Sequence, residues 1–510
     1  MNQIILLFSL YLFGLLFGLV FKKLLPLELI CSTAFLWGSL FWVLSALFLL
    51  SLSIPYTLSN VLILFSLSLP LIFYFLIKEQ VWRLNKKEIL WILASALSFL
   101  LILFAASTWN FSAGSMDSIS KIMHGKSLAY DGITTLNQDA LGTMGAYTTI
   151  MQSISVLIKV DYMYLVSPAF AFSLFLTFLL LSRQILQPVT KSWLPISLLT
   201  LGMFTTTYFI RFQIFYIHDS LIAGTYLLTS LAGFWLSIKE KKPFWLVFST
   251  LSLLGFSLAR VENPVFAIFF LAIVLSTQKI PKKHQLRAFI PFLSVNILWY
   301  IRILMTLDAD GRFLKTSNTL ITIGALCSFG LYIYLSSKIN WIEKKITSKI
   351  YPLMMLSLML AVLFFIIRQP LHTFTNISNI TRNFYVHGLW GASSILVTFL
   401  LVFLPLPNLN NIEDRVFSAS IIVFITLTVL VGGLRGTYRL GWSDSANRMM
   451  VHIMPTVFLY LIVKYRNLSE SSQLQIDELT QTRQFQATII GTFLLVIMLI
   501  PLIGLNLLYN

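Results

Sequence analysis

Apolar residues in this chain gather into blocks of about twenty, the length of helix that crosses a bilayer core roughly 30 Å thick, and short polar connections separate the blocks. Sixteen such windows lie at 2–21, 31–53, 57–77, 89–108, 162–182, 192–210, 220–238, 243–259, 264–278, 288–306, 317–337, 350–367, 388–405, 416–434, 447–463 and 486–507. The pattern predicts an all-α fold, a polytopic transmembrane helical bundle of about 14–16 spans. The first block, Ile4 to Phe21, is followed by Lys22 and Lys23. It has neither a charged n-region nor a small-residue cleavage site, so it reads as a retained span.

One long polar interruption breaks the pattern. It reads TWNFSAGSMDSISKIMHGKSLAYDGITTLNQDALGTMG, residues 108–145, and carries Asp117, Lys121, His124, Lys126, Asp131 and Asp139. Exposed backbone and charged side chains are costly in hydrocarbon, so the segment is expected outside it, as a long external loop 108–161 bearing short amphipathic helices. The chain then divides into an N-terminal transmembrane extension, 1–87, a core of spans, 88–464, and a cytoplasmic connector with a last span, 465–510.

With 57% hydrophobic residues, 11% charged and a mean hydropathy of +0.85, a water-soluble globular domain is excluded. Cys31 and Cys327 lie in apolar runs, which supports neither a disulfide framework nor a metal site. The net charge of +17 raises the question of nucleic acid, and its distribution answers it: 23 of the 36 basic residues fall in alternate connections. By the positive-inside rule those connections are cytoplasmic, which leaves both termini and the 108–145 loop external.

The two sides differ in kind. The inner set holds 17 Lys and 6 Arg, the outer 4 Lys and 9 Arg; eight Asp and one Glu lie outside, eight Glu and two Asp inside. Inner lysines need only be cationic. External arginines run against the topological preference, so another need must retain them, either bidentate phosphate binding or pairing with the external aspartates.

Four external clusters carry candidate chemistry. They are the Asp117 loop; Arg211, His218 and Asp219 in IRFQIFYIHDSLIAGTYLL; Arg260, Glu262 and Asn263 in SLARVENPVF; and Arg435, Arg439, Asp444, Arg448 and His452 in GLRGTYRLGWSDSANRMMVHIMP. Each has a structural alternative: Asp117 and Asp219 as helix caps, Glu262 with Arg260 as an interfacial ion pair. The sequons at Asn110, Asn376 and Asn379 all fall on the external side.

These segments resemble the GT-C superfamily of membrane glycosyltransferases, which use polyprenyl-phosphate-linked sugars. MDSISKIMHGKSLAYDG, running on through GAYTTIMQSISVLIKV, looks like their first external loop with its acidic residue and amphipathic helix. HDSLIAGTYLLTSLAGFWL followed by FSTLSLLGFSLARVENPVF is similar to a bacterial pattern in which an Asp opens one span and a Lys/Arg-x-Glu turn ends the next. ANRMMVHIMPTVFLYL looks like their late Arg-(x)6-Pro span. The likeness covers residues 88–464 as order and spacing. The chain departs in having Ser118 where many members carry a second acid, and four spans before the loop where many have one.

The resemblance implies a transferase moving a sugar from a polyprenyl-phosphate donor to a lipid, glycan or protein acceptor on the external face, in the plasma (inner) membrane of a bacterium. Asp117, Asp219 and Glu262 are its expected catalytic residues. Lys121, His124, His218, Arg260, Arg435, Arg439 and Arg448 are expected to bind substrate. Asp117 would take the acceptor's proton as the C1–O bond to phosphate breaks, and arginines fixed in advance would meet the charge growing on the leaving phosphate. Membrane lipids are its surroundings and nucleic acid is not a partner. No cofactor is required by the residues; a divalent metal is left open by the loop carboxylates. The competing expectations are a polysaccharide polymerase or ligase, marked by a large late loop, and a lipid or glycan flippase or transporter, marked by charge through the depth of the membrane.

Overall fold

The protein is described from a computed structural model, which describes residues 2–78, 84–108, 116–133, 145–187, 189, 193–204, 206, 213–214, 216–306, 316–339, 341–391, 393–395, 397–398 and 411–473. No strand occurs among them, and the protein is an all-α, multi-pass helical membrane protein. Among the described residues, eleven helices are long and apolar enough to cross a bilayer. The contacts divide the chain into two compact units, 1–177 with 215–350 and 178–214 with 351–510.

The first unit contains α1 (Asn2–Leu19), α2 (Leu27–Ser51), α3 (Leu58–Lys78), α4 (Lys86–Ser107), α5 (Met116–Asp131) and α6 (Ala146–Leu157). From α7 (Val166–Leu186) the chain passes into the second unit with α8 (Trp193–Phe204), then returns for α9 (Ser220–Glu240), α10 (Pro243–Ala259), α11 (Asn263–Ser276), α12 (Lys282–Thr306) and α13 (Thr316–Lys338). Within this unit the contacts join the helix ends that the charge pattern assigns to one side. Lys22 pairs with Glu88 at 2.9 Å and Phe21 packs on Phe244 at one end. At the other, Gln3 donates to the carbonyl of Tyr162 (2.8 Å) and Arg302 donates to Ser53 (3.0 Å).

Helices α1 and α2 meet backbone to backbone. A Cβ at Gly14 would strike the carbonyl of Ala34, and one at Gly38 would strike that of Leu10. Without a hydrophobic force between helices in lipid, such small-residue crossings are how spans associate.

Two of the predicted windows, 243–259 and 264–278, form α10 and α11, apolar helices of 17 and 14 residues that are shorter than the eleven. Fourteen residues make only about 21 Å of helix, well under the hydrocarbon thickness. The turn between them, Arg260 to Glu262, is buried within the protein, with Arg260 6% and Glu262 8% exposed. The window at 192–210 is helical over α8, 12 residues; those at 388–405 and 486–507 lie largely or wholly outside the described residues.

The second unit holds α8, α14 (Ser348–Arg368), α15 (Pro370–Arg382), a π-helical turn Asn383–His387, α16 (Ile412–Arg435) and α17 (Ser445–Gln473). A latch joins one end of α16 to α17: Tyr460 and Lys464 donate to Asp414 (2.5 and 3.3 Å), and Arg466 and Asn467 to Glu413 (3.1 and 2.7 Å).

Candidate functional site

The predicted external loop becomes a two-helix cap on one end of the first unit. α6 is the deeper layer, with every residue from Ala146 to Ser155 buried. It begins against the Arg260 turn, because Gly145 (φ 78°) sits where a Cβ would collide with the carbonyl of Ala259. It ends where Asn2 donates to the carbonyl of Ile158 (3.1 Å), so it lies across the end of the bundle. A helix so enclosed must satisfy its polar side chains internally. Tyr226 donates to the carbonyl of Leu36 (2.7 Å), so the Tyr147 hydroxyl is the donor shared between Tyr226 (2.7 Å) and Ser39 (2.9 Å). Gln152 bonds both backbone groups of Met163 (3.0 Å each), and Ser153 donates to Tyr56 (3.1 Å). Burial pushes the Tyr56 phenol up to about 12, against the two donors its oxygen accepts from, Trp42 (3.0 Å) and Ser153 (3.1 Å).

α5 packs along α6, crossing it at Gly125 against Gln152 and Ser153. Asp117 stands in its first turn, half-buried, where the helix dipole favours a carboxylate. That placement within the helix replaces the capping alternative. One turn on, Lys121 is buried and its ammonium lies 2.8 Å from Asp219, with side-chain exposures of 3% and 4%. Asp219 precedes α9 but makes no side-chain cap bond; its carboxylate is directed to Lys121. Ser118 adds a bond to the carbonyl of Ile217 (3.2 Å). His218 is buried with its ring stacked on Tyr216, while His124 is half-buried on α5.

Glu262 precedes α11, likewise without a cap bond, and accepts from Arg260 Nε at 2.7 Å. Asn263 donates back to the carbonyl of Phe256 (2.8 Å) and Tyr300 to that of Val261 (3.0 Å), which fixes the turn. Two of the three expected catalytic carboxylates thus sit in buried ion pairs, and Asp117 is the most accessible of the three.

Arg435, Arg439 and Arg448 belong to the second unit. Arg435 ends α16 with its side chain outside the described residues; Arg439 is exposed and Arg448 half-buried in the first turn of α17. The loop that carries Arg439 is held by Asp444 and by asparagines whose role was not expected from the sequence. Asn376 accepts from the Tyr438 amide (2.7 Å), Asn379 donates to its carbonyl (2.7 Å), and Asn383 bonds Arg439 and Gly441 (2.8 Å each). Asp444 accepts from the amides of Arg439 and Ala446, and Asn447 accepts from Trp390. The signal was present: 376, 379 and 383 share one helical face. Asn376 is fully buried, so it is no accessible acceptor for glycan.

Arg211, Asp139, Trp109 and Asn110 lie outside the described residues. Among the described residues no three His, Cys, Asp or Glu side chains converge as metal ligands. The sequence matches no protein-family model, and no curated protein matches it.

Proposed function

We propose that the protein is a membrane glycosyltransferase moving a sugar from a polyprenyl-phosphate donor to an acceptor at the outer face of a bacterial plasma membrane, with both termini on that face. The observation that carries the reading is the seating of Asp117. It is half-buried, one turn from a buried Lys121–Asp219 pair, on a helix that caps one end of a membrane bundle. In the proposed step the acceptor hydroxyl gives its proton to the Asp117 carboxylate, its oxygen bonds to the sugar C1, and the C1–O bond breaks with its electron pair leaving on the polyprenyl phosphate. Asp219 and Glu262, already neutralised by Lys121 and Arg260, are positioning groups in this scheme.

Charge location supports transfer over transport. Each of three buried ion pairs has its acid at the start of a helix, Asp219 before α9 (with Lys121), Glu262 before α11 (with Arg260) and Asp414 in the first turn of α16 (with Lys464), whereas the other polar groups buried among the described residues are mostly hydroxyls, amides and imidazoles. The test is transfer of radiolabelled sugar from a polyprenyl-phosphate donor by purified protein. Asp117→Asn should keep the fold and lose about 100-fold or more in turnover. Activity near the parent's in Asp117→Asn overturns its role as base; parent protein inert with every such donor overturns the reading itself.

A further inference from the structure

At the end of the first unit where α1 and α7 begin and α4 ends, a cleft of about 610 Å³ opens beside α6. Its lining includes Ile4, Phe104, Lys159, Asp161, Tyr162 and Tyr164. All three helices are membrane-length, so their shared end lies at headgroup depth. The volume is that of a small-molecule site.

The chemistry is divided across the cleft. Lys159 and Asp161 are both exposed and of opposite sign, two residues apart. Lys159 is the left-handed residue (φ 56°) that ends α6: Val160 donates to the carbonyl of Ser155 (2.9 Å) and Lys159 to that of Val156 (3.3 Å). This closing pattern ordinarily uses glycine, yet here it carries a lysine. The rings of Tyr162 and Tyr164 stand 5.8 Å apart, edge to face, beside Asp161. The side-chain amide of Gln3 donates to the carbonyl of Tyr162 (2.8 Å) and accepts from the Leu165 amide (3.4 Å), which holds this segment to α1. Phe104, nearly half exposed, continues the lining along α4 toward the lipid.

We propose that this cleft binds the zwitterionic headgroup of an aminophospholipid. A carboxylate with two aromatic rings is a setting for an ammonium group. An exposed lysine alongside meets the phosphate, and Phe104 with Ile4 receives the start of the acyl chains. A purely anionic lipid leaves Asp161 and the tyrosine pair without a counterpart. The inference is independent of the transferase reading.

The experiment uses full-length protein purified in detergent and depleted of lipid, with thermal unfolding and native mass spectrometry as readouts. The probes are dioleoylphosphatidylethanolamine, dioleoylphosphatidylglycerol and free phosphoethanolamine. The expected result is a retained, stabilising phosphatidylethanolamine, bound about tenfold more tightly than phosphatidylglycerol. Asp161→Asn and Tyr164→Leu, made separately on this open rim, should each remove that preference while unfolding like the parent in phosphatidylglycerol. Stabilisation by free phosphoethanolamine equal to that by the lipid assigns the headgroup itself as ligand; a requirement for acyl chains assigns the lipid. Equal binding of the two lipids by the parent, or an undiminished preference in both variants, overturns the proposal.

Discussion

Lys121 and Asp219 would each be intolerable alone where they stand. Their side chains are almost wholly removed from solvent, and a single buried charge costs several kcal/mol, while a well-made pair roughly offsets its own desolvation. Lys121→Met should therefore destabilise the protein by about 3–5 kcal/mol, because it removes the ammonium 2.8 Å from the buried Asp219 carboxylate. Adding Asp219→Leu to it should recover most of that loss. Unfolding of the two single variants and the double, in one detergent, gives the coupling directly. A neutral Lys121→Met would contradict the buried pairing. If the double variant is stable yet inactive, the pair's charge matters beyond holding α5 down.

Helices decide how deep such charges lie. α10 and α11 read as two ordinary spans because apolar content is all that a hydropathy window weighs. The Arg260–Glu262 turn separates them, and the start of α6 packs on its edge, Gly145 against Ala259. Helix packing elsewhere depends on missing side chains. Gly38→Leu places atoms into the carbonyl of Leu10 on α1, a backbone contact that no rotamer change relieves. It should lower stability by at least the roughly 1–3 kcal/mol typical of overpacking, seen as a lower unfolding temperature. Gly324→Leu, where nothing stands within 4 Å, is the matched control and should unfold like the parent. Equal effects at the two sites would remove the argument for a close α1–α2 crossing.

Taken whole, the chain has a direction in the membrane that the lysine-bearing connections imply. In a cysteine-free background, with Cys31 and Cys327 replaced, Ser127→Cys should react with an impermeant maleimide added to intact cells. Lys242→Cys, on an exposed turn, should react only after permeabilisation. Labelling of both from outside would refute the topology, and the external placement of Asp117 with it.

The sequence by itself determined the all-α, multi-pass character, because bilayer thickness converts directly into the length of an apolar run and needs no knowledge of neighbours. It also determined where charge collects, since polar interruptions are visible one residue at a time. Tertiary structure alone decided what those charges do. Lys121 meets Asp219 across 98 positions, Gly145 docks on Ala259, and the asparagines of α15 hold a loop some sixty residues away. Those outcomes depend on which helix ends coincide in space. Pairing and burial of that kind are set by packing among many segments at once, which no window along the chain contains.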